Sequence, residues 1–449
     1  MPNAVTHRPA NKMRPVEATP RRFLALAVPI MLAHITEPLL GLVDTTAIGR
    51  LNDVPMLGAV AIGAIFFDFI FWGLGALRPS TAGLTAQAVG AGSDHDVQLT
   101  RYRALMVAAL LGSVLIALQG PMTDLALYLL GPSLDVEKAA RVYIHLRIWA
   151  APFALANYAI LGSFIGCGRT DLGLIVQVAI NTGKIILAIL LVVVAGYGIA
   201  GAAIGTVIAD AIGTLLGVLI TVRLGGFKGH VALKEVFNGQ ALKRLLGVNV
   251  DIMIRTLALL TAFGFFTSES ARHGDITLAA NQVLIMVFLI AVYFLDGYAT
   301  AGEQLCGQAL GARDEIGFRK SVSLVLHFSV WTGLALSLGL MGLGKELIQM
   351  IAANAEIRDY AENYLLYAAL TPLAGALAFA FDGIFIGATW TKAMRNLMML
   401  SLALYFATFA WIGEIGNAGL WISILTFLAV RGIGQWITFP TLARRAFSS

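Results

Sequence analysis

The sequence predicts an all-α integral membrane protein, with twelve transmembrane helices in two six-helix bundles related by an internal repeat. Three observations predict it. First, of 449 residues 58% are hydrophobic and 13% charged, against about 25% charged in ordinary soluble domains, and mean hydropathy is +0.81. Second, continuous apolar runs of about 20 residues recur along the chain, the length a helix needs to cross a hydrocarbon core. They do not alternate as barrel strands of about ten residues would. Third, two distant segment pairs match at one offset of 221 residues. Leu84, Gln87, Ala88, Gly90 and Ala91 of LTAQAVGA match Leu305, Gln308, Ala309, Gly311 and Ala312 of LCGQALGA. Gly162, Phe164, Ile165, Gly166 and Thr170 match Gly383, Phe385, Ile386, Gly387 and Thr391.

Residues 1–21 are polar and basic and carry no apolar h-region, so they read as a cytoplasmic tail, not a cleaved signal peptide. Spans are expected at 22–48, 56–80, 104–124, 138–160, 172–195 and 199–221, forming an amino lobe over 22–221. A polar linker over 222–244 leads to spans at 245–267, 278–302, 321–342, 359–387, 396–412 and 418–440. These form a carboxyl lobe over 245–440, and 441–449 is a second tail.

Span 1 carries Pro29 and Pro38, each of which removes a backbone hydrogen bond and tends to kink a helix. It also carries His34, Glu37 and Asp44. At ~100° per residue these three fall within an arc of about 80° on one face. An ionised carboxylate in hydrocarbon costs at least a few kcal/mol unless paired, hydrated or protonated, so Asp44 marks a functional site. Span 2 holds Asp68 in IFFDFIF. Span 5 holds Lys184, which either snorkels to the cytoplasmic face or pairs inside with Asp44, Glu37 or Asp68. Span 6, joined tightly to span 5 through Gly196 and Gly198, holds Asp210, a further charge or a packing and capping residue.

Span 7 opens with NVDIMIRT, where Asp251 and Arg255 stand four apart and are expected to pair on one helix face. Asp296, Glu303 and Asp382 add acids to the carboxyl half, either as a hydrogen-bonded network holding the bundle or as ion and substrate contacts. Arg147 and Arg431 are further charges within spans.

Lys and Arg concentrate in the amino-terminal tail, the even-numbered loops and the carboxyl-terminal tail. The opposite side has only Arg50, Lys138, Arg141, Arg272, Lys345 and Arg358, which places both termini in the cytoplasm. Six spans per copy give both copies the same direction across the bilayer. They are then related by an axis along the membrane normal, with a midplane cavity between them, an architecture of alternating access. Cys167 and Cys306 read as free small apolar residues. The net charge of +5 comes largely from basic loops beside a membrane and is no nucleic-acid signal. No HExxH, GxSxG or GxxxxGK[ST] occurs, which argues against an enzyme or a direct ATPase. Phe66, Phe67, Phe69, Phe71, Met286 and Phe288 are candidates to line a roomy apolar cavity.

LAVPIM, LLGLVDTTAIG, GLTAQAVGA, NVDIMIRT, FLDGYATAGEQLCGQALGAR and FDGIFIGATWTKAMRN occur in that order. Together they resemble the DinF branch of the MATE (multidrug and toxic compound extrusion) transporters, over about residues 22 to 440. The resemblance implies two lobes arranged as a V around a central cavity, in a monomer of the bacterial inner (plasma) membrane. It implies export of amphipathic, often cationic, drug-like molecules in exchange for H+ or Na+. No cofactor beyond the coupling ion and no nucleic-acid partner are implied. It makes Asp44 the coupling aspartate, Pro29 the point about which helix 1 bends, and Asn157 the polar residue of helix 4 near the amino-lobe cavity. Relatives commonly carry a second aspartate in helix 5, where this chain has Ala188, with Lys184 one turn earlier. Glu37 and Asp68 are candidate replacements. A lipid-linked precursor flippase of the same superfamily is the alternative. It usually has a more cationic cavity, whereas the amino-lobe cavity here is expected to be more acidic than basic.

Overall fold

The computed structural model describes residues 16–49, 54–227 and 231–448, without the side chains of 35–49 and 54. Its helices are α1 (Pro20–Gly49), α2 (Val54–Leu74), α3 (Leu77–Gly90), α4 (Asp94–Ala117), α5 (Gln119–Leu130), α6 (Leu134–Arg147), α7 (Ala151–Gly166) and α8 (Thr170–Ala188). There follow α9 (Gly198–Arg223), α10 (Leu233–Val236), α11 (Gly239–Arg272), α12 (Asp275–Gly311), α13 (Glu315–Ile351), α14 (Ala355–Gly387), α15 (Thr391–Ile412) and α16 (Asn417–Phe447). Eleven helical segments among the described residues are long and apolar enough to cross a membrane. With α1, 30 residues long, they make the twelve spans.

Several helices outrun their apolar cores. Hydropathy marks only the stretch in hydrocarbon, and local caps carry the helix further. α11 starts inside the expected linker because the Asn238 side chain accepts from Ala241 N at 3.0 Å. α1 starts at Pro20, inside the expected tail, and Val16 N donates to Asp314 Oδ2 at 3.0 Å. The second span is two helices, α2 and α3, joined at Gly75. The fourth is α6 and α7, joined by a 3-10 turn at Ile148–Ala150 ahead of Pro152. α8 ends in a π-helical turn, Ile189–Val194. Gly196 and Gly198, both at positive φ (72° and 53°), then turn the chain sharply into α9.

The 221-residue offset reaches into the backbone. Ser93 caps α4, and Asp314, 221 positions on, caps α13. Gly92 and Gly168 adopt left-handed φ of 67° and 72°. Their equivalents Arg313 and Thr389 adopt 51° and 56° without being glycine, a conformation that costs such residues about 1–3 kcal/mol. The same turn is built with glycine in one copy and with a side chain in the other. Close packing repeats as well. A Cβ on Gly162 would overlap the Arg78 carbonyl, and one on Gly383 the Ala299 carbonyl. Gly166 and Gly387 stand in the same relation to Ala82 and Glu303.

The lobes meet where the duplicated motifs cross. A Cβ on Gly90 would overlap the Gln308 carbonyl, and one on Gly311 the Gln87 carbonyl. These two reciprocal contacts are related by the same offset, so α3 and α12 cross on a local two-fold axis. The lining of this crossing includes Gln87, Arg244 and Gly311. Arg244 Nη2 donates to Gln87 Oε1 at 2.8 Å, and Gln87 Nε2 to Gly387 O at 2.8 Å. α1 is shared between the lobes. Its Phe23, Leu26, Ala27 and Met31 belong to a carboxyl-lobe core with Leu305, Phe318 and Phe381, while Ile30 packs with Ala82 and Ile165 of the amino lobe.

Candidate functional site

Two groups of buried charge stand out, one in each lobe, with an ion pair between the lobes. In the amino lobe, Lys184 Nζ lies 3.0 Å from Asp210 Oδ1, with side chains 20% and 6% exposed. Lys184 is paired inside and does not snorkel; its observed partner is Asp210 and not the expected Asp68, while the expected Glu37 and Asp44 lie outside the described side chains. The signal was present in the sequence. Lys184 lies twelve residues before Gly196 and Asp210 twelve after Gly198, so a tight antiparallel hairpin sets them at one height. Asp210 is thus an ion-pair partner, and its backbone carbonyl also accepts from Asn157 Nδ2 at 3.0 Å. Thr214 Oγ1 donates to Asn157 Oδ1 at 3.0 Å. Asn157 therefore ties α7 to α9 beside the pair.

The pair opens on a cavity of about 160 Å³ lined by Arg78, Arg147, Lys184, Asp210, Asn157 and Gln177, with Phe71 and Tyr158 among the others. Three described lining residues are cations and one is an acid, while Glu37 and Asp44, which carry the expected acidic character, lie outside the described side chains. Arg147 hydrogen-bonds Tyr143 Oη at 2.8 Å and lies over the Phe67 ring at 4.6 Å. Asp68 is exposed and within electrostatic reach of Arg147, not of Lys184. Ala188 is buried and contributes no polar group.

The side chains of Glu37, Pro38 and Asp44 lie outside the described residues. Pro29 is half-buried, and α1 runs on through it. Of the aromatic candidates, Phe71 faces the cavity. Phe66, Phe67 and Phe288 are buried in the cores, and Phe69 and Met286 point outward. Periodicity cannot distinguish these three settings.

The carboxyl lobe holds an ionic cluster. Asp382 of α14 receives Arg255 of α11 and Arg431 of α16, and Gln435 Nε2 donates to its Oδ1 at 2.9 Å. Arg431 is 1% exposed and lies 5.5 Å from the Phe379 ring centroid. The expected Asp251–Arg255 pair does not form. Asp251 instead accepts from Arg395 Nη1 at 2.6 Å and Thr391 Oγ1 at 2.9 Å. Four-residue spacing permits contact on a bare helix, but here α14 and α15 offer competing partners to the two residues. Sequence reasoning gave Arg431, Gln435 and Arg395 no partners, although a mid-span arginine such as Arg431 demands one.

Asp296 does not join this cluster through a hydrogen bond. Its Oδ2 lies 2.9 Å from His34 Nε2 of α1, so it bridges the lobes. Glu303 is buried where α12 meets α3 and α14, and its Oε1 has no hydrogen-bond partner among the described residues.

The arrangement is that of a transporter core: two repeated bundles, a polar cavity in one, an ionic cluster in the other, and a shared first helix. The MatE family model matches residues 29–190 and 252–412, one copy of the repeat each. The chain is 37% identical over 419 residues to the DNA damage-inducible protein F of Escherichia coli (strain K12), covering 91% of this chain and 89% of that one. It is 28% identical over 445 residues to a probable multidrug resistance protein NorM of Bradyrhizobium diazoefficiens, covering 94% and 93%. The fold is similar to a solved outward-facing multidrug resistance MATE family transporter of the MOP superfamily. The TM-score is 0.84 at 17% identity, over 96% of this chain and 97% of that one. The chain belongs to the MatE family, the multidrug and toxic compound extrusion transporters, and to the DinF branch within it.

Proposed function

We propose that this protein exports amphipathic organic compounds across the bacterial plasma membrane in exchange for protons, or sodium ions, by alternating access. In this reading it acts as a monomer with both termini in the cytoplasm, and its only cofactor is the coupling ion. The observation that carries the reading is the crossing of α3 and α12 at the duplicated Gly–Gln motif. Two bundles that meet at a close small-residue crossing can rock about it, as repeat-built transporters do. In this reading that crossing lies at the cytoplasmic ends of the second and eighth spans, which closes the protein on the cytoplasmic side.

Asp44 carries the coupling in this proposal, with Glu37 on its face and Pro29 as the hinge. A carboxylate of ordinary pKa about 3.9 takes up a proton near neutrality only if its surroundings favour the neutral form by about 4 kcal/mol. Asp44→Asn, expressed at the wild-type level in a drug-sensitive strain, is expected to lose resistance. Full resistance from that variant would remove Asp44 from the coupling step.

One observation favours a second reading. A cavity lined by Arg78, Arg147 and Lys184 against Asp210 suits an anionic cargo, such as a lipid-linked precursor, better than a cationic drug. Competition separates the two readings. Displacement of ethidium transport by other cations supports drug export, while inhibition by an aromatic sulfonate alone supports the anionic cargo.

A further inference from the structure

We propose that His34 and Asp296 form a proton-binding site shared between the two lobes, and that proton binding there favours the cytoplasmically closed conformer. The inference rests on the proton-exchange reading above and places a coupling proton at the lobe interface, outside the amino-lobe cavity.

His34 belongs to the amino lobe by sequence and Asp296 to the carboxyl lobe, yet Nε2 and Oδ2 are 2.9 Å apart. The imidazole stacks on Tyr293 at 5.9 Å between centroids, with planes 9° apart, which fixes its orientation. The His34 side chain is 11% exposed and that of Asp296 36%, so the pair is open on the Asp296 side. Below the pair the α1–α12 seam is apolar and tight. Phe23 stacks on Tyr298 at 5.5 Å, and Gly297 lets Met31 approach. The pair therefore closes the end of the α1–α12 seam, and it breaks if α1 leaves α12 to follow the amino lobe when the lobes rock apart.

Other charges face it. Arg78 of α3 and Arg255 of α11 act on Asp296, and Glu303 lies farther along α12. From α8 the neighbouring group is the uncharged Gln177, and from α7 the apolar Leu161 and Ile165. Glu37 and Asp44, on the same helix as His34, lie outside the described side chains. The bound proton lies between the imidazole Nε2 and the carboxylate Oδ2.

Binding and conformation are linked reciprocally. A proton on His34 gains the Asp296 carboxylate only while the seam is closed. The closed, outward-facing conformer therefore holds the proton more tightly than one in which α1 and α12 have parted. An exchanger needs that order: the imidazole lone pair takes the proton from outside water and gives it up to cytoplasmic water once the seam opens.

The test uses the full chain with Cys167 and Cys306 replaced by alanine. Nitroxides are placed at the equivalent, exposed Asp94 and Glu315, and the distance distribution between the lobes' cytoplasmic ends is measured in lipid. Proton-driven transport by the same protein is measured in parallel. Between about pH 8 and about pH 5.5, a range that brackets the ordinary imidazole value near 6.5, the short-distance population should grow relative to the long by about tenfold, the effect of a one-unit difference in proton affinity. His34→Gln and Asp296→Asn should flatten this response. His34→Lys, a fixed cation, should hold the short distance at both ends of the range. A pH response surviving in His34→Gln overturns the proposal, as does a wild-type protein that is proton-driven but shows no shift. Absence of proton-driven transport in the wild type overturns the underlying reading as well.

Discussion

Asp382→Ala is expected to destabilise the protein by about 3–5 kcal/mol, because it leaves Arg255 and Arg431 buried without their shared counter-ion. Three spans meet at this carboxylate, α11, α14 and α16, and Gln435 completes its coordination. Asp382→Asn keeps the shape and some hydrogen bonding but not the charge, so it should fall between wild type and alanine. Thermal unfolding of the detergent-solubilised protein, followed by loss of the monodisperse peak on size exclusion, reads the effect. An alanine variant that melts with the wild type would show that the two arginines find other partners. Replacing all three charges by apolar residues of similar volume should recover much of the loss, since a buried ion pair is seldom more stable than well-packed hydrocarbon.

The second large effect is expected at the lobe crossing. Gly90→Ala and Gly311→Ala each place a methyl group against the backbone carbonyl of the opposing helix. Neither carbonyl can swing aside as a side-chain tip would, because each is held in its helix. Overpacking of this kind costs roughly 1–3 kcal/mol. Spent against closure, that amounts to a shift of about 5- to 150-fold toward the inward-open conformer. The spin-label distance between positions 94 and 315 should lengthen for either variant, and resistance should fall with it. Gly120→Ala and Gly239→Ala, where a methyl meets nothing within 4 Å, serve as controls and should leave both readouts unchanged. A short distance retained in Gly311→Ala would mean that the crossing is not the pivot.

The fold was legible because bilayer thickness and the duplication act over long stretches of chain. The matched motifs at Gln87 and Gln308 encode the crossing itself, and even the left-handed turn at Arg313 follows from glycine at the equivalent position 92. The charged groups were legible only as individuals. Asp382, Asp296 and Lys184 could be picked out as costly in hydrocarbon, but their partners come from spans far away in sequence. Asp382 meets Arg431, and Asp296 meets His34 across the lobes. The Asp251–Arg255 expectation failed for the same reason. Local spacing proposed a contact that helix packing replaced with Asp251–Arg395 and Arg255–Asp382. Lys184–Asp210 is the instructive exception, since a tight hairpin turns sequence distance into height and makes the pair predictable. Arg78 and Arg147 could not be placed at the cavity beforehand because they reach it from helix breaks near Gly75 and Ile148, which hydropathy does not show.

Transport by purified protein in liposomes tests the central claim most directly. Ethidium and naphthalene-2-sulfonate are offered separately, under an imposed proton gradient, an imposed sodium gradient and neither. The account predicts that at least one probe moves uphill when a gradient is imposed, that the movement collapses when that gradient is dissipated, and that Asp44→Asn abolishes it. Movement of neither probe under either gradient, or movement indifferent to both, would contradict it.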